Sequence, residues 1–340
     1  MIGYYVHHHG SGHARRASTV RRELGAEVIG LGSGGRPSGW ADGGWIDLAD
    51  DADDKADALA ATRSGSWHWA PPSHPGFGQR MRTIASWIDS VRPELLVVDV
   101  SVEVTALAVL LGVPVATVLL HGERTDPPHR LALDSADAVL GAWPASHRLP
   151  WHDRLGLRLT TTGGFGRFDG RAPTGAARAR RVVVMAGTGG SDLFRRGLTA
   201  AVAATPAWEW HVLGATGSVP GASEHGWVED PWPWLCSAEV VVTACGDAAL
   251  SEVAAARRPA VLVPQCRPFD EQRHAASALA RTGAPVVEAD PASTGVGWND
   301  LLGTASQMDG AAWADQYDGL GAQRFATALR QVAGLETVLR

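Results

Sequence analysis

Residues 2–24 read IGYYVHHHGSGHARRASTVRREL, and this stretch decides the fold class. Ile2–Val6 is a short apolar run that ends at a glycine-rich turn, which is typical of a buried strand. The segment from His13 to Leu24 then has helical periodicity. A buried strand, a glycine turn and a helix form the first part of a parallel βαβ unit, so the sequence predicts an α/β protein.

The same alternation continues along the chain. Apolar runs bounded by Gly or Pro predict strands at Ile2–Val6, Ala26–Leu31, Leu95–Asp99, Val115–Leu119, Ala138–Leu140, Arg181–Met185, Trp208–Leu213, Glu239–Thr243 and Ala260–Val263. Helical periodicity predicts helices near His13–Leu24, Gln79–Val91, Val102–Leu111, Asp192–Ala203, Asp247–Ala256 and Glu271–Arg281. Because strands buried on both faces read as continuous apolar runs, the pattern favours parallel sheets.

The domain organisation follows from length and composition. A chain of 340 residues with 45% hydrophobic content suits two domains with separate cores. We predict a first domain over residues 1–162, a Gly-, Thr- and Arg-rich linker over 163–180 and a second domain over 181–308. Residues 309–340 form an Ala-rich helical segment that we expect to pack back onto the first domain.

Residues 34–77 are irregular, with many Gly and Pro and an acidic cluster. A loop of this length in a compact domain is usually functional or disordered. Its tryptophans, with two others in the first half, suit the wall of a hydrophobic or carbohydrate acceptor site, because aromatic faces stack on sugars and apolar groups. They are Trp40, Trp45, Trp67, Trp69, Trp87 and Trp151. An ordinary surface loop is the alternative interpretation.

Charge and cysteine content exclude several classes of protein. The net charge is −6 and the basic residues are scattered, so nucleic acid is a poor partner. Cys236, Cys245 and Cys266 have no Cys-x-x-Cys spacing, which argues against a disulfide framework and a zinc site. We expect a cytoplasmic protein, and association with a membrane surface remains open.

The chain shows no pattern for export or membrane insertion. Its first residues lack the basic start and small-residue cleavage site of a signal peptide. The longest apolar stretch, residues 106–120, is interrupted by Gly112 and Pro114 and is shorter than the roughly 20 residues that cross a bilayer. We therefore expect no transmembrane segment.

The glycine turn after the first strand is a candidate anion site. Gly10, Ser11 and Gly12 let the backbone approach a phosphate, and the following helix offers unpaired N–H groups and a positive dipole end. His13 at the helix start is a candidate general base, since that dipole favours a neutral imidazole. The alternatives are a tight βα turn and a polar helix start. His7, His8 and His9 predict no metal site, because strand neighbours point to opposite faces.

The second half repeats this arrangement. Gly187, Thr188, Gly189 and Gly190 follow the strand Arg181–Met185 and form a second candidate phosphate cradle. A further strand leads into Gly246, Asp247 and Ala248 at a helix start, with Glu252 placed to accept hydrogen bonds from sugar hydroxyls such as ribose. Glu271 and Gln272 open the next helix and suit hexose hydroxyls; helix capping and a solvated glutamate are the alternatives.

Two motifs predict nothing functional. Gly30-Leu31-Gly32-Ser33-Gly34-Gly35 fits a dinucleotide-binding pattern, but Pro37 and Gly39 argue against the helix that such a site needs. Asp51-Ala52-Asp53 resembles a metal-binding D-x-D motif, yet its acidic surroundings indicate a solvated face.

In this order the motifs resemble the GT-B superfamily, most closely the peptidoglycan N-acetylglucosaminyltransferase and related UDP-dependent glycosyltransferases. Gly10–His13 and Gly187–Gly190 resemble the two glycine turns of that superfamily. The loop Trp227–Pro231 resembles its uracil-reading loop, and the run Ala244–Pro264 its donor signature. The resemblance covers most of the chain and is patchy over residues 34–77.

The resemblance implies two Rossmann-like domains facing across a cleft. It also implies transfer of a sugar from a nucleoside-diphosphate donor, with UDP as the nucleotide, to a hydroxyl acceptor, without metal or cofactor. Val228 would lie against the base, Glu252 would bind the ribose, and Glu271-Gln272 the sugar. Our own hypothesis for the mechanism is that His13 acts as the base with Asp99 orienting its ring, and we group His121 with Gly10, Ser11 and Gly12 as acceptor or phosphate contacts.

The sequence also departs from the superfamily. Ala244 stands where relatives carry Arg or His, Ala248-Ala249 replaces Asn-Ser, and Asp247 adds negative charge where an anion should bind. Two alternatives therefore stay open. One is a sugar-nucleotide 2-epimerase of the same architecture, and the other is a catalytically silent binding or scaffold protein. The acceptor and the sugar are not defined by the sequence.

Overall fold

Two parallel β-sheets organise the chain, which is described as a computed structural model over residues 1–8, 11–52, 58–187, 192–214, 217–289 and 297–335. The first sheet contains seven strands: β1 Ile2–Val6, β2 Val28–Gly32, β3 Trp45–Asp47, β4 Leu95–Asp99, β5 Val115–Leu119, β6 Ala138–Gly141 and β7 Leu159–Thr161. Their order is β3-β2-β1-β4-β5-β6-β7, with every pairing parallel.

The connections of the first sheet carry its helices: α1 Gly12–Leu24, α2 Ala58–Ala61, α3 Pro75–Val91, α4 Val102–Leu110 and α5 Pro127–Ser135. Short 3-10 segments follow β6 at Ala145–His147 and Pro150–Arg158. Strand β1 is buried along its whole length, with separate apolar clusters on the two faces of the sheet. This burial explains the continuous apolar run in the sequence.

The second sheet contains six strands: β8 Arg181–Met185, β9 Glu209–Leu213, β10 Ser223–Glu224, β11 Val240–Thr243, β12 Ala260–Leu262 and β13 Val286–Glu288. Their order is β10-β9-β8-β11-β12-β13, again with parallel pairings. The remaining helices are α6 Asp192–Ala204, α7 Trp232–Ser237, α8 Asp247–Ala255, α9 Glu271–Arg281, α10 Trp298–Ser306 and α11 Gly321–Val332. Short 3-10 segments lie at Pro268–Asp270 and Gly310–Asp315.

Each sheet reverses its strand order at its centre. In the first sheet β1 lies between β2 and β4, and Val6 is in register with Asp99. In the second sheet β8 lies between β9 and β11, and Met185 is in register with Thr243. A crevice opens at the carboxyl ends of the strands where the order reverses, so each sheet offers a binding site at this point.

The C-terminal helix α11 packs on α1 of the first domain. Phe325 and Leu329 are fully buried in one apolar cluster with Val20 and Leu24. Arg330 Nε also donates a hydrogen bond to the carbonyl oxygen of Leu24, at 3.1 Å. Helix α11 therefore belongs to the helix layer of the first domain, although it follows the second domain in sequence.

The described residues within 34–77 contain more secondary structure than the sequence predicts. They contain β3 and α2, and α3 begins at Pro75 rather than Gln79. The earlier start has a local cause, because Pro75 suits the first helical turn and the His74 side chain accepts a hydrogen bond from Phe77 N at 3.1 Å. Three-residue edge strands such as β3 and β7 carry too little apolar pattern to be recognised in sequence.

Other predictions in the first half need correction. Asp51 is buried and ion-paired with Arg80 at 2.8 Å, so it is not part of a solvated face, and Asp53 lies outside the described residues. The strand ends at Val6, so the alternation argument for the histidines was wrong. The rings of His7 and His8 stack, with centroids 4.7 Å apart. No helix lies within residues 33–44, which is consistent with rejecting the dinucleotide motif.

None of the helices in the described part of the chain is long and apolar enough to span a membrane.

Candidate functional site

A cavity of about 1170 Å³ lies between the two domains at the carboxyl ends of both sheets. Its first-domain wall includes the start of α1 and the loops after β4 and β5. Its second-domain wall includes Gly187 after β8, the start of α8 and the loop before α9. The switch points of the two sheets therefore face one another across a single cavity.

His13 and Asp99 meet at the floor of this cavity. His13 follows β1 at the start of α1, and Asp99 ends the neighbouring strand β4. His13 Nδ1 lies 2.9 Å from Asp99 Oδ1. Arg16 Nη1 also donates to Asp99 Oδ1 at 2.7 Å, and the Tyr4 hydroxyl lies 3.4 Å from Oδ2. The topology thus brings together the two residues that the sequence analysis proposed as the base and its orienting carboxylate.

The electrostatics of this pair suit proton transfer. Asp99 is fully buried, and although burial by itself raises the pKa of its carboxyl, Arg16 and His13 hold that pKa below its ordinary value. A carboxylate can only accept hydrogen bonds, so the proton between the two groups lies on His13 Nδ1. In the neutral imidazole this arrangement leaves Nε2 without a proton and able to accept one.

Arg16 links the two domains. Its Nη2 donates to Asp247 Oδ2 at 2.5 Å, at the first turn of α8. The two helix starts approach closely, because a Cβ built on Gly12 would lie 4.0 Å from Ala248 Cβ. The negative charge of Asp247 is therefore paired with a buried arginine rather than directed unpaired into the cavity.

Glu252 is buried, with 1% of its surface exposed. Its Oε1 accepts hydrogen bonds from Arg15 Nη1 and from Arg167 Nε, each at 2.8 Å. Its Oε2 is also buried and has no hydrogen-bond partner among the residues that the structure describes. Glu252 is thus fixed by two arginines while one acceptor oxygen stays unused.

Glu271 and Gln272 both line the cavity at the start of α9. Glu271 Oε2 accepts a hydrogen bond from Arg124 Nη2 at 3.2 Å, and burial raises the pKa of this carboxyl. Gln272 Oε1 accepts from the backbone N–H of Gln265 at 2.8 Å, which ties α9 to the end of β12. The side-chain amide of Gln272 therefore holds the loop after β12 in place, and Gln272 also lines the cavity.

The glycine turns are described in part. Ser11, Gly12 and Gly187 line the cavity. Gly10 and the residues Thr188, Gly189 and Gly190 lie outside the described residues. Gly246 and Ala248 at the start of α8 complete this part of the wall. Val228 packs against the core of the second domain, whereas its neighbour Trp227 is 59% exposed, with the Arg15 guanidinium 5.7 Å from its ring centre.

His121 follows β5 and lines the same cavity. Its Nε2 lies 3.0 Å from His147 Nδ1, and burial lowers its pKa to about 3. The Nδ1 atom is buried without a hydrogen-bond partner within the described ranges. Burial therefore favours the neutral form of His121, and the hydrogen-bonding capacity of its buried Nδ1 is unused within the described residues.

Sequence reasoning missed a second network on the first-domain wall. His68 Nε2 lies 2.7 Å from Asp126 Oδ2, and His129 Nδ1 lies 2.5 Å from Asp126 Oδ1. The backbone N–H groups of His68 and Trp69 both donate to Glu103 Oε1 at 2.9 Å. These residues are scattered along the chain, and Asp126 and His129 on either side of Pro127-Pro128 gave only a weak local signal.

This network is complete as a set of hydrogen bonds, although the ligand atoms of His68, Asp126 and His129 lie close enough to hold a metal ion. Arg124 Nη1 lies 3.1 Å from His129 Nε2, and a guanidinium can only donate. His129 Nε2 is therefore an acceptor, and Nδ1–H donates to Asp126. Metal binding would have to displace that proton beside a buried cation. His8, Asp50 and Asp51 form a second such group.

The predicted aromatic wall is correct in part. Trp67, Trp69 and Phe77 line the cavity with apolar residues of α3 and α4. Trp87 is buried in the core between α3 and the sheet, and Trp151 packs beside β6 and β7. Neither of these two tryptophans lines the cavity, because their helical segments turn them toward the sheet. Phe269 closes the cavity from the second domain.

Comparison with known proteins identifies the architecture. No protein-family profile matches the chain, and no curated protein matches its sequence. Among solved structures, the forosaminyltransferase SpnP of spinosyn synthesis has a TM-score of 0.68 at 14% identity, covering 98% of this chain and 99% of its own. The chain has the GT-B fold.

Two other solved structures support this assignment. The glycosyltransferase VinC, solved in complex with dTDP, has a TM-score of 0.66 at 14% identity and covers 98% of this chain and 100% of its own. MurG from Acinetobacter baumannii has a TM-score of 0.64 at 16% identity, with 97% and 99% covered. These neighbours confirm the resemblance to GT-B glycosyltransferases that the motifs indicated, and they show the fold.

Proposed function

We propose that this GT-B protein is a glycosyltransferase that moves a sugar from a nucleoside-diphosphate donor to a hydroxyl group of an apolar acceptor. The observation that carries the proposal is the His13–Asp99 pair at the floor of the cavity between the domains. An imidazole oriented by a buried carboxylate can act as the general base that activates an acceptor hydroxyl. The titles of the structural neighbours support the same class.

In this proposal His13 Nε2 removes the proton of the acceptor hydroxyl as the oxygen attacks the anomeric carbon. The bond from that carbon to the diphosphate breaks, and the leaving group departs with the electron pair. Asp99 stabilises the imidazolium that forms, while Arg16 and Tyr4 keep Asp99 in place. No step in this sequence calls for a metal ion or a cofactor.

The second domain supplies the donor site. The start of α8 and the backbone after β8 offer N–H groups and a positive helix end to a diphosphate. We propose that the unused Oε2 of Glu252 accepts a hydrogen bond from a ribose hydroxyl when a donor displaces the side chains that bury it. The sequence resemblance favours uracil as the base of the donor. The dTDP in the VinC structure makes thymine a second candidate base.

The acceptor side is apolar and aromatic. Trp67, Trp69, Phe77 and Phe269 line it, together with the polar groups of His68 and His121. Such a wall suits a flat, hydrophobic acceptor with few polar groups.

The first experiment is thermal stabilisation by UDP, dTDP, GDP and ADP, since a ligand at about 100 times its Kd stabilises the fold by roughly 2.7 kcal/mol. Stabilisation by one of these four diphosphates supports the proposal and identifies the base of the donor. The matching NDP-sugar, incubated with the enzyme and a panel of hydrophobic phenols and alcohols, then tests transfer.

Two outcomes would contradict the proposal. Epimerised sugar from UDP-N-acetylglucosamine alone would indicate the 2-epimerase. No binding of any nucleotide at millimolar concentration would indicate a silent scaffold.

A further inference from the structure

Two carboxylates that the proposed chemistry does not use lie on the first-domain wall of the cavity. Glu103 is in the first turn of α4, Asp126 is the residue before α5, and both line the cavity. His68 connects them, because its backbone N–H donates to Glu103 Oε1 at 2.9 Å while its Nε2 lies 2.7 Å from Asp126 Oδ2. With His129, which also contacts Asp126, these residues form one acidic patch.

Glu103 is held by neutral donors. Its Oε1 accepts hydrogen bonds from the backbone N–H groups of His68 and Trp69, each at 2.9 Å. Its Oε2 accepts a hydrogen bond from the Ser101 hydroxyl at 3.1 Å. Among the residues that the structure describes, no arginine forms an ion pair with it. The negative charge of Glu103 is therefore compensated by dipoles rather than by a cation.

Asp126 is held by two imidazole rings, with His68 Nε2 at 2.7 Å from Oδ2 and His129 Nδ1 at 2.5 Å from Oδ1. Burial lowers the pKa of His129 to about 4, so this ring carries no charge at neutral pH. Burial by itself raises the pKa of the Asp126 carboxyl, but the hydrogen bonds from the two rings hold it below its ordinary value. Asp126 is therefore ionised, and no arginine is ion-paired with it within the described ranges.

The nearby arginines do not neutralise the acidic patch. Arg124 donates to Glu271 Oε2 at 3.2 Å, across the cavity. Arg267, on the loop before α9, also favours the ionised form of Glu271. Two cations thus face three carboxylates, those of Glu271, Asp126 and Glu103. This part of the wall keeps one surplus negative charge.

Aromatic rings lie beside the acidic patch. The rings of His68 and His129 have centroids 4.2 Å apart. The ring of Phe269, from the second domain, packs edge-on against His129 at 4.6 Å and lies 5.4 Å from His68. Trp67 and Trp69 flank His68 in sequence and line the same cavity. Because aromatic faces and carboxylates both attract cations, an ammonium group on an apolar body gains from both features.

We propose that the acidic patch binds a protonated amino group of the acceptor, so that the acceptor is a hydrophobic alcohol or phenol that also carries an alkylammonium group. This inference rests on the proposed function and names the chemical class of its acceptor. The ammonium N–H groups donate to Glu103 and Asp126, whose oxygens can accept further hydrogen bonds. The apolar body contacts the aromatic part of the wall, which includes Trp67 and Phe77. A neutral acceptor of the same shape lacks the charge interaction and binds more weakly.

Calorimetry with three small ligands tests this preference without any nucleotide. Tryptamine, tryptophol and indoleacetate share an indole ring and differ in charge, which is positive, absent and negative. At about pH 8 the amine is protonated and imidazole is neutral, because the ordinary pKa values of such groups are about 10 and about 6.5. Tryptamine should bind about 10- to 100-fold more tightly than tryptophol, since it adds ionic and cation–π attraction. Indoleacetate should bind most weakly.

Glu103→Gln and Asp126→Asn each remove one charge and keep the shape of the side chain. Each should weaken tryptamine binding by about 5- to 20-fold and leave tryptophol binding nearly unchanged. Asp134→Asn is the matched control, because Asp134 is an exposed carboxylate on α5, the helix that Asp126 precedes. This variant should bind all three ligands as the wild type does.

Equal affinity of the wild type for tryptamine and tryptophol overturns the inference, and so does failure of all three ligands to bind at millimolar concentration. An equal loss of tryptamine and tryptophol binding in the Glu103 and Asp126 variants also overturns it, because that result gives the carboxylates a structural role only.

The outcomes separate this inference from the proposed function. Sugar transfer to neutral alcohols without any preference for amines would support the proposed function and contradict the inference. A preference for tryptamine in a protein that binds no nucleotide would support the ammonium site and contradict the proposed function.

Discussion

Arg16 and Asp247 form an ion pair across the cleft, with Nη2 of the arginine 2.5 Å from Oδ2 of the aspartate. The same guanidinium donates to Asp99 through Nη1 at 2.7 Å. One buried arginine thus connects the carboxylate behind His13 to the first turn of the proposed donor-binding helix. The added aspartate, which looked unfavourable for anion binding in the sequence, has a structural partner.

Replacing Arg16 with Met should destabilise the protein by about 3–5 kcal/mol, because it leaves the buried Asp99 without its cation. Arg22→Met on the exposed face of α1 should change stability by less than about 0.5 kcal/mol. Urea unfolding measures both. A double-mutant cycle with Asp247→Asn should give a coupling energy within about 0.5–3 kcal/mol. Additive effects of the two substitutions would contradict a cross-cleft ion pair.

Replacing His13 with Ala should lower kcat by about 10²- to 10⁴-fold, because the acceptor hydroxyl loses its base. Affinity for the nucleoside diphosphate should be nearly unchanged, since His13 contacts Asp99 rather than the proposed donor site. Asp99→Asn should lower kcat as well, through the altered tautomer of His13. Steady-state kinetics and calorimetry separate the two effects. Retained turnover with lost donor binding would rule out His13 as the base.

Replacing Phe325 with Ala should destabilise the protein by about 3–5 kcal/mol, because its ring is fully buried between α11 and α1. Leu131→Ala is the control, since Leu131 is 47% exposed on α5. The shift in the urea midpoint measures both. A small effect at Phe325 would mean that α11 contributes little to the first domain.

Asp169 in the linker should make stability depend on pH. Burial raises the pKa of its carboxyl from 3.8 to about 6, although the Gly166 N–H donates to Oδ1 at 3.0 Å. The folded state therefore holds this proton more tightly than the unfolded chain does. The stabilisation is present below about pH 4 and is lost as the pH rises through about 6.

Asp169→Asn removes this titration and should be more stable than the wild type at pH 8 by about 1–2 kcal/mol, after allowance for partial exposure. The difference should shrink at pH 4.5. Chemical unfolding at both pH values measures it, and Asp153→Asn at an exposed position controls for the change in net charge. A difference that is the same at both pH values would contradict the raised pKa.

Much of the fold was predictable because its signals are local. The buried strands β1, β4, β5 and β8 were predicted with the bounds that the structure gives, since central parallel strands read as continuous apolar runs. The edge strands β3, β7, β10 and β13 were missed. Each contains only two or three residues. Whether such a short segment forms a strand depends more on pairing with its one neighbouring strand than on its own sequence.

The candidate site was predictable only where it follows a strand. His13 and Asp99 follow or end neighbouring strands, and the parallel order brings the ends of such strands together. Their individual roles remain proposals. The network of His68, Asp126 and His129 gave no comparable signal, because it joins a loop residue to the start of α5 through side chains.

The sequence by itself determined the fold class, the succession of the buried central strands with the helices predicted between them, and the placement of a histidine at a helix start. Local periodicity and turn residues encode these features. The tertiary structure decided which charges meet: Arg15 and Glu252 are 237 positions apart, and Arg16 and Asp247 are 231 apart. Such pairs depend on how two separately folded sheets face one another, and this orientation is set by packing between the domains, which no local pattern records.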